Sequence, residues 1–385
     1  MVSARAMLPV APRRFLAATS RRWREARLFA RAMTSPCTPI VAHLIPTRRC
    51  NLTCAYCNEF DARSQPVPLD ALRSRVDRLA ALGASAITLS GGEPLLHPGL
   101  PDLVRHIRSH GILASVISNG YLLSPDLIEQ LNQAGLDYLQ LSVDNLEPDG
   151  VSMKSWHPLL PKLHWLARRA LFAVNVNIVL GIGVARPEDA LQIAQQARDL
   201  GFHLTVGLAH DGWGRLVPLS DRERRLYMRL APLRRGSFAD FATYGQFQRN
   251  LIAGRPNDWR CPAGALYLYV CENGLVHYCS QQRGRPAIPL QNYTRQDLQR
   301  EYHRPKPCAP LCTISCVHQT AMLDQLRQRP LQMLKQWFSE AAGPARLPAV
   351  VRLLAWLFVP PRLGGKRPRL TRLVTALALR ALGLR

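Results

Sequence analysis

Cys50, Cys54 and Cys57 stand in the run Arg-Cys-Asn-Leu-Thr-Cys-Ala-Tyr-Cys, directly after an apolar stretch that reads as a strand. Thiolates hold iron–sulfur clusters, and a four-iron cube normally takes four of them. A tight C-x3-C-x2-C loop supplies only three, which leaves one iron open to a substrate or cofactor. A zinc knuckle with a distant fourth ligand is the competing reading. Further on, Leu89-Ser90-Gly91-Gly92-Glu93-Pro94 follows the apolar run Ala86 to Leu89 and precedes a helical pattern. Paired glycines let backbone approach a ligand closely, and a carboxylate suits an ammonium group. A second set of thiols, Cys261, Cys271, Cys279, Cys308, Cys312 and Cys316, lies nearer the C-terminus.

The cysteine loop and the Gly-Gly-Glu-Pro turn together resemble the radical S-adenosylmethionine (SAM) superfamily. The resemblance implies a [4Fe-4S] cluster on Cys50, Cys54 and Cys57, with SAM chelating the open iron. It implies that Gly91, Gly92, Glu93 and Pro94 lie against the methionine amino end, with Tyr56 near the adenine. The implied chemistry is reductive cleavage of SAM to a 5′-deoxyadenosyl radical. That requires an external electron donor such as flavodoxin or ferredoxin.

The elements that would position these residues alternate along the chain. Apolar strands at Ile40–Pro46, Ala86–Leu89, Leu113–Ile117, Tyr138–Val143, Ala173–Leu180 and Phe202–Val206 are separated by helical patterns. Those patterns fall at Leu69–Leu82, Leu100–Ser109, Pro125–Ala134, Leu159–Leu171 and Pro187–Leu200. Such alternation argues for an α/β fold of parallel βα units with functional residues at the strand ends. The resemblance implies closure into a partial (β/α)6 barrel. Ser118-Asn119-Gly120 resembles the polar turn near the bound cofactor, and Ser142-Val143-Asp144 resembles a Ser-x-Asp at the ribose and carboxylate. Asn175 and Asn177 share a strand face by the two-residue period, so Asn177 is a further candidate for the cofactor. Asn-Gly and Asp-Gly pairs, as at Asp211-Gly212, also make ordinary turns. His43 in the first strand reads best as a satisfied core histidine.

Beyond residue 215, helical patterns at Ser220–Leu233 and Phe238–Ile252 lead to the second thiol set. Tyr267–Cys271 and Leu275–Tyr278 flank a turn at Glu272-Asn273-Gly274 and read as a hairpin. The order Cys261, Gly274, Cys279 resembles the opening of a SPASM domain, the auxiliary-cluster module of many radical SAM maturases. The later half departs from that pattern, since only Cys308-x3-Cys312-x3-Cys316 follows. One auxiliary [4Fe-4S] cluster on Cys261, Cys279 and two of Cys308, Cys312 and Cys316 is the first choice. Two clusters with an open position come second, and zinc remains an alternative. His277 and His318 lie close enough in sequence to ligate.

The formal net charge of +24 is uneven: residues 1–33 contribute +7, residues 325–385 contribute +11, and the body +6. Five segments follow: a basic N-terminal extension (1–36), the barrel (37–215), a helical bridge (216–258), the cysteine-rich module (259–324) and a basic tail (325–385). The extension reads as a transit peptide or an amphipathic arm. In the tail, Leu347–Val359 is too short to span a bilayer but, with the arginines after it, suits an anionic membrane surface. No nucleic-acid module is visible, and no secretory signal argues against a cytoplasmic protein, with or without a peripheral contact to the inner membrane. The SPASM-like module points to a peptide or protein substrate; the tails point to a lipid or isoprenoid. An iron–sulfur electron-transfer protein is the non-enzymatic reading.

Overall fold

The apolar positions Leu72, Val76, Leu79 and Leu82 recur at helical spacing and are all buried on one face of a helix, Leu69–Leu82. Burying each such side chain contributes about 1.5–3 kcal/mol. The surface that receives them is a twisted sheet whose strands alternate outward and inward side chains. The structure, a computed structural model, describes residues 10–212, 214–233, 245–329 and 333.

Six βα units follow in order. They are β1 (Val41–Thr47), α2 (Leu69–Leu82), β2 (Ala86–Gly91), α3 (Leu100–Ser109), β3 (Leu113–Ser118), α4 (Pro125–Ala134), β4 (Tyr138–Ser142), α5 (Trp156–Arg169), β5 (Ala173–Leu180), α6 (Asp189–Asp199) and β6 (His203–Leu208). The six strands pair in parallel and in sequence, as a partial barrel requires. On β5, Val174, Val176, Ile178 and Leu180 are buried under the helices. Asn175, Asn177 and Val179 alternate with them and line a cavity inside the barrel.

After α7 (Asp221–Leu230) and α8 (Gly245–Ile252), the chain returns as β7 (Tyr267–Val270), β8 (Leu275–His277) and β9 (Pro286–Pro289). The expected hairpin is present. It does not stand alone, because β7 hydrogen-bonds in parallel to β1, opposite β2. One nine-stranded sheet thus runs β6-β5-β4-β3-β2-β1-β7-β8-β9. The helices α9 (Arg295–His303) and α10 (Ser315–Gln328) complete the described chain.

The described part of the basic N-terminal extension packs on the body of the fold. Residues Val10–Thr34 form a helix, α1, that packs on the starts of the barrel strands and on α10. Leu28 and Ala32 join a buried cluster with Ile40, Leu113, Leu266 and Leu323. Several of its arginines are absorbed by the fold. Arg13 pairs with Glu129 at 2.9 Å, and Arg24 pairs with the fully buried Asp137. Arg14 donates to the carbonyls of Ala167 and Ala170 at the end of α5, where a cation complements the helix dipole. The apolar stretch Leu347–Val359 and the Leu-rich run Leu370–Leu384 lie outside the described residues, as does part of Phe238–Ile252. No described helix is long and apolar enough to cross a membrane.

Candidate active site and thiol centres

β1 ends at Thr47 and feeds directly into the cysteine loop, and β2 ends in the glycine pair beside it. Gly91 has φ +116°, and a Cβ there would come within 2.7 Å of the Thr47 carbonyl. A Cβ on Gly92 would lie 2.2 Å from the Arg49 carbonyl oxygen. Only glycine permits this contact. The Gly92 and Glu93 amides then donate to the Thr47 and Arg49 carbonyls at 3.1 and 2.8 Å, clamping the turn onto the segment that leads to Cys50. The close approach made by the glycines is therefore to backbone of the cysteine loop.

Glu93 is fully buried and ties three elements together. Its carboxylate accepts from the Leu95 amide at 2.9 Å, the Ser118 hydroxyl at 2.8 Å and the Asn119 amide at 2.7 Å. Burial raises its pKa, and these hydrogen bonds oppose the rise. Pro94 is buried and begins a short 3₁₀ turn. Asn119 continues the chain of contacts, donating to Asn51 at 2.8 Å and approaching Cys50 Sγ at 3.7 Å. The Leu52 and Met153 amides point at Cys50 and Cys54 Sγ at 3.4 and 3.3 Å. Such N–H···S contacts tune the potential of a cluster on those sulfurs.

At the end of β4, Tyr56 donates to Asp144 at 2.6 Å and Ser152 donates to the same oxygen at 2.8 Å. The other Asp144 oxygen is buried without a partner. The sequence reading missed Lys154, whose ammonium sits 2.8 Å from the Tyr56 hydroxyl and 4.9 Å from its ring centre. Burial disfavours its charge, yet Tyr56, Asp144 and Cys57 raise its pKa overall. A cavity of about 210 Å³ brings together Cys50, Cys54, Cys57, Gly91, Gly92, Ser142 and Lys154. Three thiols and the half-buried ammonium of Lys154 lining one cavity fit an iron–sulfur cluster carrying an amino-acid ligand.

Asn177 lies elsewhere. It accepts from Thr205 at 2.9 Å, and Asn175 donates to Thr205 and Gln140, forming a polar belt inside the barrel. These side chains line a larger cavity of about 670 Å³ that reaches from Leu28 of α1 to Tyr56. His43 and Ile117 line both cavities, so the two adjoin. His43 is a cavity-wall residue hydrogen-bonded to Ser90 at 3.2 Å, and burial lowers its pKa to about 4.

The second thiol set is gathered from the hairpin, the loop before it, the loop after α9 and the start of α10. Cys261, Cys279, Cys308, Cys312 and Cys316 lie within electrostatic reach of one another. Cys261, Cys279 and Cys312 are buried, and Tyr267 hydrogen-bonds Cys316, which also faces the barrel cavity. Burial pushes Cys261 and Cys316 up to about 11, and Cys279 and Cys312 up as well. A bound metal centre is what holds such thiols ionised. Neither thiol set draws three sulfurs within 4.8 Å of one another. Cys271 is buried in the same cluster as Cys261, Cys279 and Cys312, and its carbonyl accepts from Arg75 at 3.3 Å. His277 accepts from the Gly284 amide at 3.0 Å, and His318 stacks on Phe247.

Residues 44–213 match the family model described as the Radical SAM superfamily. A PqqA peptide cyclase from Gluconobacter oxydans is 30% identical over 276 residues, covering 68% of this chain and 75% of that protein. One from Xanthomonas oryzae pv. oryzae is 35% identical over 161 residues, covering 38% of this chain and 42% of the relative. The chain thus spans about two-fifths of that relative's length. Among solved structures, Streptococcus suis SuiB bound to precursor peptide SuiA has a TM-score of 0.54 at 12% identity, covering 82% of this chain and 76% of that one. The enzyme anSMEcpe with bound AdoMet and the Cp18Cys peptide has a TM-score of 0.51 at 15% identity, covering 77% of this chain and 99% of that one. At such identities these structures speak for the fold alone. The chain belongs to the radical SAM superfamily.

Proposed function

We propose that this protein cleaves SAM reductively at a [4Fe-4S] cluster held by Cys50, Cys54 and Cys57 and modifies a peptide or protein substrate. The observation that carries the reading is the meeting of those three thiols with Gly91, Gly92 and Lys154 around one cavity that adjoins a larger one inside the barrel. When bound, the cluster supplies the electron that breaks the SAM sulfonium C–S bond and yields the 5′-deoxyadenosyl radical. The protein's own groups bind, orient and exclude. Lys154 and the free oxygen of Asp144 offer a cation and an acceptor to the methionine and ribose ends. Ser118, Asn119 and Glu93 hold the wall of that site. The barrel cavity, with its belt of Gln140, Asn175, Thr205 and Asn177, receives the substrate side chain and keeps bulk water from it.

The peptide reading draws on the similarity to PqqA peptide cyclases and on the second thiol set, which we assign to a module over residues 259–324. One auxiliary cluster there takes its ligands from Cys261, Cys279, Cys308, Cys312 and Cys316. Cys308 borders a separate surface cavity of about 490 Å³ lined by Arg215, Arg285, Arg304 and Lys306. Such a basic hollow suits an acidic electron carrier of the flavodoxin or ferredoxin kind. The lipid reading rested on the two basic tails; one is now a packed helix and the other lies outside the described residues.

The test is anaerobic reconstitution with iron, sulfide, SAM and dithionite. Formation of 5′-deoxyadenosine is expected, and its absence sinks the radical SAM reading for this chain. Incubation with short peptides encoded beside this gene, followed by mass spectrometry, then decides the substrate class.

A further inference from the structure

A third group of ligand-type side chains lies on the outside of the barrel. Asp77 belongs to α2, His106 to α3, and His110 caps the C-terminus of α3. His106 and His110 are four residues apart, so their rings project from one helix face a turn apart. Each ring directs Nε2 at the same atom, Asp77 Oδ1, at 2.7 and 2.8 Å. The rings meet edge to face with centroids 5.1 Å apart. Among the described residues, no other three His, Cys, Asp or Glu side chains bring ligand atoms within 4.8 Å of one another.

Two imidazole nitrogens and a carboxylate oxygen converging from two helices form a donor set for a borderline divalent ion. Zinc holds such atoms at about 2.0–2.2 Å, which puts tetrahedral ligands about 3.4 Å apart. The present spacing needs to open by only about 0.6 Å to admit the ion. Asp77 and His110 are exposed, so their side chains have room to move. Competing cations are otherwise engaged: Arg73 pairs with Asp70, and Arg105 pairs with Asp102. Among the described residues Asp77 has no Lys or Arg partner.

We propose that Asp77, His106 and His110 form a surface site for a divalent transition-metal ion, zinc in the first place, with water completing the coordination. The site is independent of the thiol centres and of the reaction proposed above. Its position assigns it a structural use. α2 runs into β2 and α3 runs out of it, so the ion ties together the two helices that bracket the strand carrying Gly91.

Zinc is titrated calorimetrically into the iron–sulfur-loaded full chain and into its His106→Ala and Asp77→Ala variants. Zinc on thiols would appear equally in all three and cancel. The wild type is expected to bind one more zinc per chain than either variant, with affinity at least about tenfold tighter at that site. Iron content should be the same throughout. Zinc should also raise the thermal midpoint of the wild type more than that of the variants, because a ligand of the folded state stabilises it. Equal zinc uptake by all three chains overturns the proposal, as does wild-type binding weaker than about 100 µM.

Discussion

The two thiol centres of this protein are built in opposite ways. The first takes three cysteines from one short loop, and the backbone amides of Leu52 and Met153 already point at its sulfurs. The second draws five cysteines from four separate stretches, and most of them are buried. The first is gathered in one loop; the second is held by packing between distant segments, with Cys316 on the barrel cavity and Cys308 on a surface cavity. Each has a lysine beside it, the half-buried Lys154 at the first and the buried Lys306 at the second. The chain has only five lysines among its fifty basic residues.

The sharpest way to break this contrast is to remove one centre at a time. Alanine at Cys50, Cys54 and Cys57 together should reduce 5′-deoxyadenosine to background and lower iron by about four atoms per chain, leaving the second set loaded. Alanine at Cys279 and Cys312 should do the reverse, sparing SAM cleavage and removing the remaining iron. If either change empties both centres, they are not independent.

Next in size is Gly92→Ala. Its methyl group would sit 2.2 Å from the Arg49 carbonyl, so the turn or the cysteine loop has to move. The expected cost is on the order of 3 kcal/mol. Chemical denaturation measures that cost, and iron analysis should show the loss confined to the first centre.

Lys154→Met is a finer probe. Loss of a charged hydrogen-bonding partner should weaken SAM binding by about tenfold or more, with iron content unchanged. Lys154→Arg should not restore it. Equilibrium binding to the loaded chain gives the answer, and an unaltered SAM affinity would remove Lys154 from the cofactor site.

The smallest effect concerns His43. Its folded pKa of about 4 lies below the unfolded value, so the neutral ring contributes stability above about pH 6.5 that is lost as pH falls toward about 4. Because part of its surface faces an open cavity, the contribution is put at about 1–2 kcal/mol. His43→Gln should flatten the acid side of the stability curve measured by denaturant unfolding, and an unchanged slope removes His43 as a contributor.

What was legible in the sequence follows the same contrast. Helices α2, α3 and α4 begin and end where their apolar spacing predicts, because each buries one stripe against the sheet. The cysteine loop and glycine pair were legible because their chemistry is local. The packed helix α1 was not. Its partners Glu129 and Asp137 are more than 100 residues away, so its arginines read as a solvated tail. Lys154 was missed for a related reason, being a single residue in a turn with no periodicity to mark it. Asn177 was assigned to the cofactor from its strand face, and in the structure it belongs to the polar belt of the barrel cavity that reaches Tyr56.

The pairing of β1 with β2 on one side and β7 on the other has a mechanical consequence. Neighbouring strands keep a spacing of about 4.8 Å, so the glycine turn and the hairpin are held about 10 Å apart across a single strand. Backbone hydrogen bonds along these strands therefore act as a ruler between the two centres. A one-residue insertion in β1 would slip both neighbours at once. Any drift in the distance between the two thiol sets has to come from the loops alone.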